Sequence, residues 1–96
     1  LNVEFTPEAL ADLRNIQSYI AETDPAAADR LISRIRQTIT MSERFPLLGR
    51  AGSIEGTREF VIPGLPYTVI YQIQSETTLD ILTIIHQSRQ YPPQQD

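Results

Sequence analysis

Near its C-terminal end the chain reads ILTIIHQSRQYPP, residues 81–93, and three side chains there have chemistry to offer. His86 is the sole histidine, and Arg89 and Tyr91 follow it closely. Earlier, Arg58 opens the segment REFVIPG. Cleavage of RNA through attack of a 2′-hydroxyl needs a base, an acid and a cation at the scissile phosphate. His86 could act as acid or base, Arg58 and Arg89 could hold charge, and Tyr91 could stack a base or donate a proton. The structural alternative is simpler: His86 caps a buried strand with a hydrogen bond, and Arg89 pairs with a nearby acid. A lone histidine on an apolar strand favours that alternative.

Other chemistries have less behind them. A metal site would rest on one histidine and scattered carboxylates with no paired spacing on a helix face. Asp80 cannot serve His86 in a triad, because six residues of one strand hold them roughly 20 Å apart. The segment GRAG, residues 49–52, lacks the lysine and the preceding strand of a phosphate-binding loop. Glu55 and Glu59 read as solvated or ion-paired. Neither a metal nor a cofactor is expected.

The elements that must position these groups are legible. LNVEF alternates, with Val3 and Phe5 on one side, as a short strand does. Thr6 then stands as a helix N-cap, with Pro7 at the first helical position and Glu8 in the first turn. Ala9, Leu13, Ile16 and Ile20 form one apolar stripe. Asp24 and Pro25 repeat the start signal, and Ala28, Leu31, Ile32, Ile35 and Ile39 form a second stripe. Pro46 disfavours helix at the residue before it, so this helix should end near Arg44. Two helices with so short a connection make an antiparallel hairpin.

Residues 46–57 read as a loop on their glycines and proline. REFVIPG is a strand closed by a turn. PYTVIYQI alternates, with Tyr67, Val69, Tyr71 and Ile73 on one face, the two tyrosines assigned to the core. TLDILTII is apolar on both faces, the mark of a strand covered on both sides. Three strands with short connections should pair as an antiparallel meander. The expectation is one domain over residues 1–96, of class α+β and order β-α-α-β-β-β, with the hairpin on one face of an antiparallel sheet. The place of the first strand in that sheet stays open.

Charge narrows the partners. Twelve acids face eight bases, for a net charge of −4, and every base is an arginine. Nucleic-acid binders usually show the reverse balance, because phosphate neutralisation supplies most of their affinity. Arginine suits planar, two-pronged recognition of carboxylates on a protein partner. Arg30 and Arg34 lie one helical turn apart and should share a face, with Arg44 near the end of the same helix. The default for such a face is solvation; its functional reading is a docking strip for acidic side chains. With no cysteine and no apolar run near the roughly 20 residues of a membrane helix, a cytoplasmic protein without a membrane partner is expected.

Taken in order, GTREFVIPGLPYTVIYQI and IIHQSRQYP, with FPLLGR and the paired helices before them, resemble the RelE/ParE superfamily of toxins from type II toxin–antitoxin pairs. The wording is closer to the ParE branch. The resemblance implies a RelE/ParE-like fold across nearly the whole chain. In the ribonuclease branch, toxins enter the ribosomal A site and cut messenger RNA. The equivalents here would be Arg58, His86, Arg89 and Tyr91. Two departures weigh against that activity: Thr68 stands where an arginine is usual, and Glu59 where a base would be expected. In the ParE branch the target is DNA gyrase, no covalent chemistry is attributed to the toxin, and a ParD-like antitoxin neutralises it. The resemblance therefore implies an antitoxin-bound gyrase inhibitor without catalytic residues, and the strip of Arg30, Arg34 and Arg44 is then the candidate contact for the antitoxin's acids. The alternative is a ribosome-dependent endoribonuclease.

Overall fold

The structure is a computed structural model, which describes residues 1–88. Its order is β1 (Asn2–Phe5), α1 (Pro7–Ala21), α2 (Pro25–Arg44), β2 (Arg50–Ala51), β3 (Arg58–Val61), β4 (Tyr67–Ile73) and β5 (Thr78–His86). Both helices start as their sequences predict. The Thr6 hydroxyl accepts from the Ala9 N–H and the Asp24 carboxylate from that of Ala27, each 3.1 Å away, with a proline opening each helix. α2 ends at Arg44, one residue before the position that Pro46 disfavours.

The strands form one sheet in the order β1-β5-β4-β3-β2. β3, β4 and β5 are the expected antiparallel meander. The sheet as a whole is mixed rather than antiparallel, because β1 lies parallel to β5, with Phe5 opposite Ile81. Two helices intervene between β1 and the rest of the sheet, which gives the chain room for a crossover that a tight turn could not make. The stretch expected to be all loop also supplies β2, two residues paired to Arg58 and Glu59. Between β3 and β4, Pro63 and Gly64 occupy the middle of a turn closed by the Leu65 N–H on the Ile62 carbonyl. Gly64 takes φ +76, the left-handed conformation that this turn requires at its third residue.

The core lies between the helices and one sheet face. Ala9 and Leu13 of α1 and Ile35 and Ile39 of α2 meet Val69, Tyr71, Leu79, Ile81 and Ile84. One irregularity shapes that face. Ile70 pairs with Thr83 but Tyr71 pairs with Ile81, so Leu82 is an extra residue in β5. The bulge puts Ile81 and Ile84 on the same side, opposite Tyr71 and Val69. Strict alternation along β5 would turn Ile84 away from Ile81, and the one inserted residue brings the two to the same face.

β1 stops at Phe5, so on that edge the bulged half of β5 has no strand beside it, while β4 pairs its other edge. Thr6 and the start of α1 take over. The Thr6 N–H donates to the Ile81 carbonyl, and the Thr6 hydroxyl donates to the Leu82 carbonyl at 2.8 Å. Two turns further, the Asp12 carboxylate accepts from the Ile84 N–H at 3.0 Å and from the Thr83 hydroxyl. The polar backbone exposed by the bulge is thus satisfied by α1, as a buried edge demands.

Candidate functional site

Arg58 and His86, the two nuclease candidates among the described residues, do not meet. Arg58 pairs with Tyr71 across the sheet and His86 with Tyr67. Four residues of β4 separate those partners, and the two side chains flank β4 on opposite sides. Their backbones are thus about 13 Å apart along the strands and about 10 Å across them. Arg89 and Tyr91 lie outside the described residues.

Each of the two has a local role. The Arg58 guanidinium donates to the Gly49 carbonyl at 2.7 Å. Beside it, the Tyr71 hydroxyl donates to the Pro46 carbonyl at 2.7 Å and accepts from the Gly49 N–H at 2.8 Å. Tyr71 is fully buried and meets Phe60 edge-on at 5.6 Å. Together these bonds staple residues 46–49 to the sheet. A Cβ at Gly49 would lie 2.8 Å from the Tyr71 ring and from the Glu59 carbonyl oxygen, so only glycine fits. Glu59, placed where a base was expected, pairs with Arg50 at 2.8 Å.

His86 is exposed and ends β5. Its Nδ1 accepts from the Ser88 N–H at 3.1 Å and lies 2.8 Å from the Ser88 hydroxyl. That bond leaves the ring proton of the neutral form on Nε2, pointing away from Ser88. The ring meets Tyr67 edge-on, with centroids 5.5 Å apart. With Asp12, Asn15 and Tyr19 they border a groove of about 560 Å³, whose described lining contains no arginine. The groove offers hydrogen bonds and aromatic faces, but among described residues no cation for a phosphate.

Tyr67 titrates above the ordinary tyrosine value of 10.0, first because burial disfavours the phenolate and second through Tyr19. The native protein therefore keeps this proton when the unfolded chain has begun to lose it. The resulting stability is fully present below pH 10 and is lost as pH rises through the native pKa. Phenolate absorbance should show a step above the ordinary tyrosine value that is lost in Tyr67→Phe, and a titration curve unchanged above that value in the variant would refute the assignment.

A second groove, of about 770 Å³, runs along α2. Arg30 and Arg34 border it together, as their spacing predicts, with Ile20, Leu31 and Leu65 supplying apolar walls. Arg34 is also committed to the fold, donating to the Pro63 carbonyl at 2.8 Å. Arg44 is exposed in the last turn of the helix, about 15 Å along the axis from Arg34. Sequence reasoning missed the apolar company it keeps. Met41, Phe45, Leu47 and Leu48 are all roughly half exposed or more, Leu47 to 67%. Their clustering in MSERFPLLGR was the available signal. Among the described residues no three potential ligands gather for a metal, and no helix is long and apolar enough to cross a membrane.

This layering of a helical hairpin on a mixed sheet is shared with a solved chain of a chromosomal ParDE toxin–antitoxin system from P. aeruginosa. The TM-score is 0.81 over 90% of this chain and 95% of that one, at 20% sequence identity. The sequence narrows the class. Residues 3–91 match the family described as the ParE toxin of the type II toxin–antitoxin system parDE, and the chain belongs to that family. It is similar to the protein Y4kP of Sinorhizobium fredii, with 37% identity over 94% of this chain and 92% of the relative. Toxin RelE2 of Caulobacter vibrioides is 31% identical over 91% of this chain and 96% of its own length.

Proposed function

We propose that this type II toxin acts by gripping proteins: a ParD-like antitoxin holds it inactive in the cytoplasm, and DNA gyrase is its target. The observation that carries the reading is the division of its cations. Arg58 is tied to Gly49 and far from His86, whereas Arg30 and Arg34 border an apolar groove on α2. The first is a structural staple; the second is the composition of a protein-binding surface. The solved P. aeruginosa relative comes from a ParDE system, which supports an antitoxin as partner.

The test is expression without antitoxin followed by a supercoiling assay on purified gyrase. Supercoiling is expected to fall, with trapped cleavage complexes. Normal supercoiling at a growth-inhibiting dose would remove gyrase as the target.

One observation favours the ribosome-dependent endoribonuclease as second reading: His86 is exposed beside Tyr67 in an open groove. That reading requires messenger cleavage in a translating extract, abolished by His86→Ala or Arg89→Ala. A third reading, a binding module without toxicity, requires unimpaired growth on induction.

A further inference from the structure

β1 pairs with β5 only as far as Ile81, and β5 runs on to His86. Thr6 and Asp12 take up the Leu82 carbonyl and the Ile84 N–H. Beyond that point the edge is open. The Gln87 N–H bonds the Pro66 carbonyl, so by alternation the polar groups of Ile85 turn to β4 and those of Ile84 and His86 turn outward. No described residue bonds the Ile84 carbonyl or the His86 N–H. An acceptor and a donor that bracket one residue, here Ile85, are what a parallel neighbour engages with both groups of a single residue. β1 is seated on β5 in that same parallel sense.

The groove of about 560 Å³ runs beside this open edge, lined by Asp12, Asn15 and Tyr19 of α1 and Tyr67 of β4. Asp12 gives one carboxylate oxygen, Oδ2, to Ile84 and Thr83, and no described residue bonds its Oδ1. The Asn15 amide and both phenols likewise hydrogen-bond no described residue. A carboxylate oxygen beside two tyrosine rings is the setting that a guanidinium or ammonium group favours, through charge-assisted bonding and through the ring faces. Among its described residues the groove has no cation of its own to meet that need.

We propose that this edge and groove seat an extended, basic segment of the toxin's target, added to β5 as a parallel strand in line with β1, with an arginine or lysine beside Asp12. The inference rests on the reading that the toxin grips a target protein, and adds where and by what kind of segment. Charge separates this occupant from the antitoxin. The strip on α2 is cationic and calls for acids, whereas Asp12 is the one charged residue in the described lining of this groove. RNA is disfavoured on the same ground, since its phosphates would face a carboxylate. A second copy brings no basic strand. Among the described strands only β2 and β3 hold an arginine, and these are engaged with Glu59 and with Gly49.

The experiment measures affinity of the full chain for purified DNA gyrase, and in parallel for the purified product of the reading frame adjoining its gene. His86→Pro removes the edge N–H, which the fold leaves unused, and His86→Ala keeps it. Asn15→Arg sets a fixed cation beside Asp12. His86→Pro and Asn15→Arg are each expected to weaken gyrase binding about 10-fold, the worth of one hydrogen bond or one like-charge contact. His86→Ala should lose less, and Arg14→Glu, an exposed arginine on α1, should bind like the wild type. Asn15 is exposed, so Asn15→Arg should melt with the wild type and decides the matter even where the proline lowers stability. Wild-type gyrase affinity in Asn15→Arg would overturn the seat while leaving gyrase as target. So would equal losses in His86→Ala and His86→Pro, or a loss of antitoxin binding in place of gyrase binding. A wild-type chain that neither binds nor inhibits gyrase would remove the target reading, and the seat with it.

Discussion

Tyr71→Phe should lower the unfolding free energy by about 3 kcal/mol, because it strands a buried donor and leaves a carbonyl without its partner. The ring itself stays, so its packing against Phe60 is kept and no cavity opens. What goes is one oxygen serving two backbone groups: the Gly49 N–H at 2.8 Å and the Pro46 carbonyl at 2.7 Å. Gly49 is buried, and a buried N–H that loses its acceptor bears the full cost of desolvation. The Gly49 carbonyl keeps its bond from Arg58, which limits the damage to the loop. Urea unfolding with amide exchange on the variant is the check. Exchange at Gly49 should accelerate far more than the global loss explains. A loss below about 1 kcal/mol, with the Gly49 amide still protected, would mean that the staple is not what holds the loop.

Asp12→Ala is expected to cost about 2–3 kcal/mol, again from stranded donors rather than lost packing. Its carboxylate takes the Ile84 N–H and the Thr83 hydroxyl where β5 runs past the end of β1. Alanine is the better helix former, so local propensity pulls the other way by a fraction of a kcal/mol, too little to compensate. Asp12→Asn keeps an acceptor oxygen and should lose less than half as much. Equilibrium unfolding of both variants separates the effects. Equal losses in the two would show that the negative charge, not the accepting oxygen, matters. No loss in either would show that water serves the edge as well as the carboxylate does.

These two residues also mark where the sequence stops being readable. Helix starts were announced by Thr6-Pro7 and Asp24-Pro25, and the end of α2 by Pro46, because each signal acts within a few residues. The meander was legible for the same reason: short connections leave adjacent pairing as the simplest outcome. The parallel seat of β1 was not, since its partner lies across the whole chain. Nor was the bulge at Leu82. The apolar run in β5 is continuous, and one inserted residue changes its faces without altering its composition. Nothing in the sequence of α1 singles out Asp12. Its task exists only once the bulge and the short β1 are both in place.

The candidate site was legible as residue types and less so as geometry. Arg30 and Arg34 share a face because helical spacing requires it. Arg58 looked like a phosphate clamp, but the strand register sets it opposite Tyr71, within reach of the Gly49 carbonyl. Nothing in REFVIPG announces that register. The family resemblance drawn from the motif order agrees with the match over residues 3–91, and the fold with the ParDE relative.

The pairing of β1 with β5 sets a timetable for synthesis. A growing chain meets its helices early, because their contacts are local, but the first strand waits for a neighbour that is translated 76 residues later at the Thr6–Leu82 contact. Closing so long a loop slows folding and postpones cooperativity until β5 clears the ribosome. Until then the hairpin has no floor, and its greasy undersides are open to any chaperone at hand.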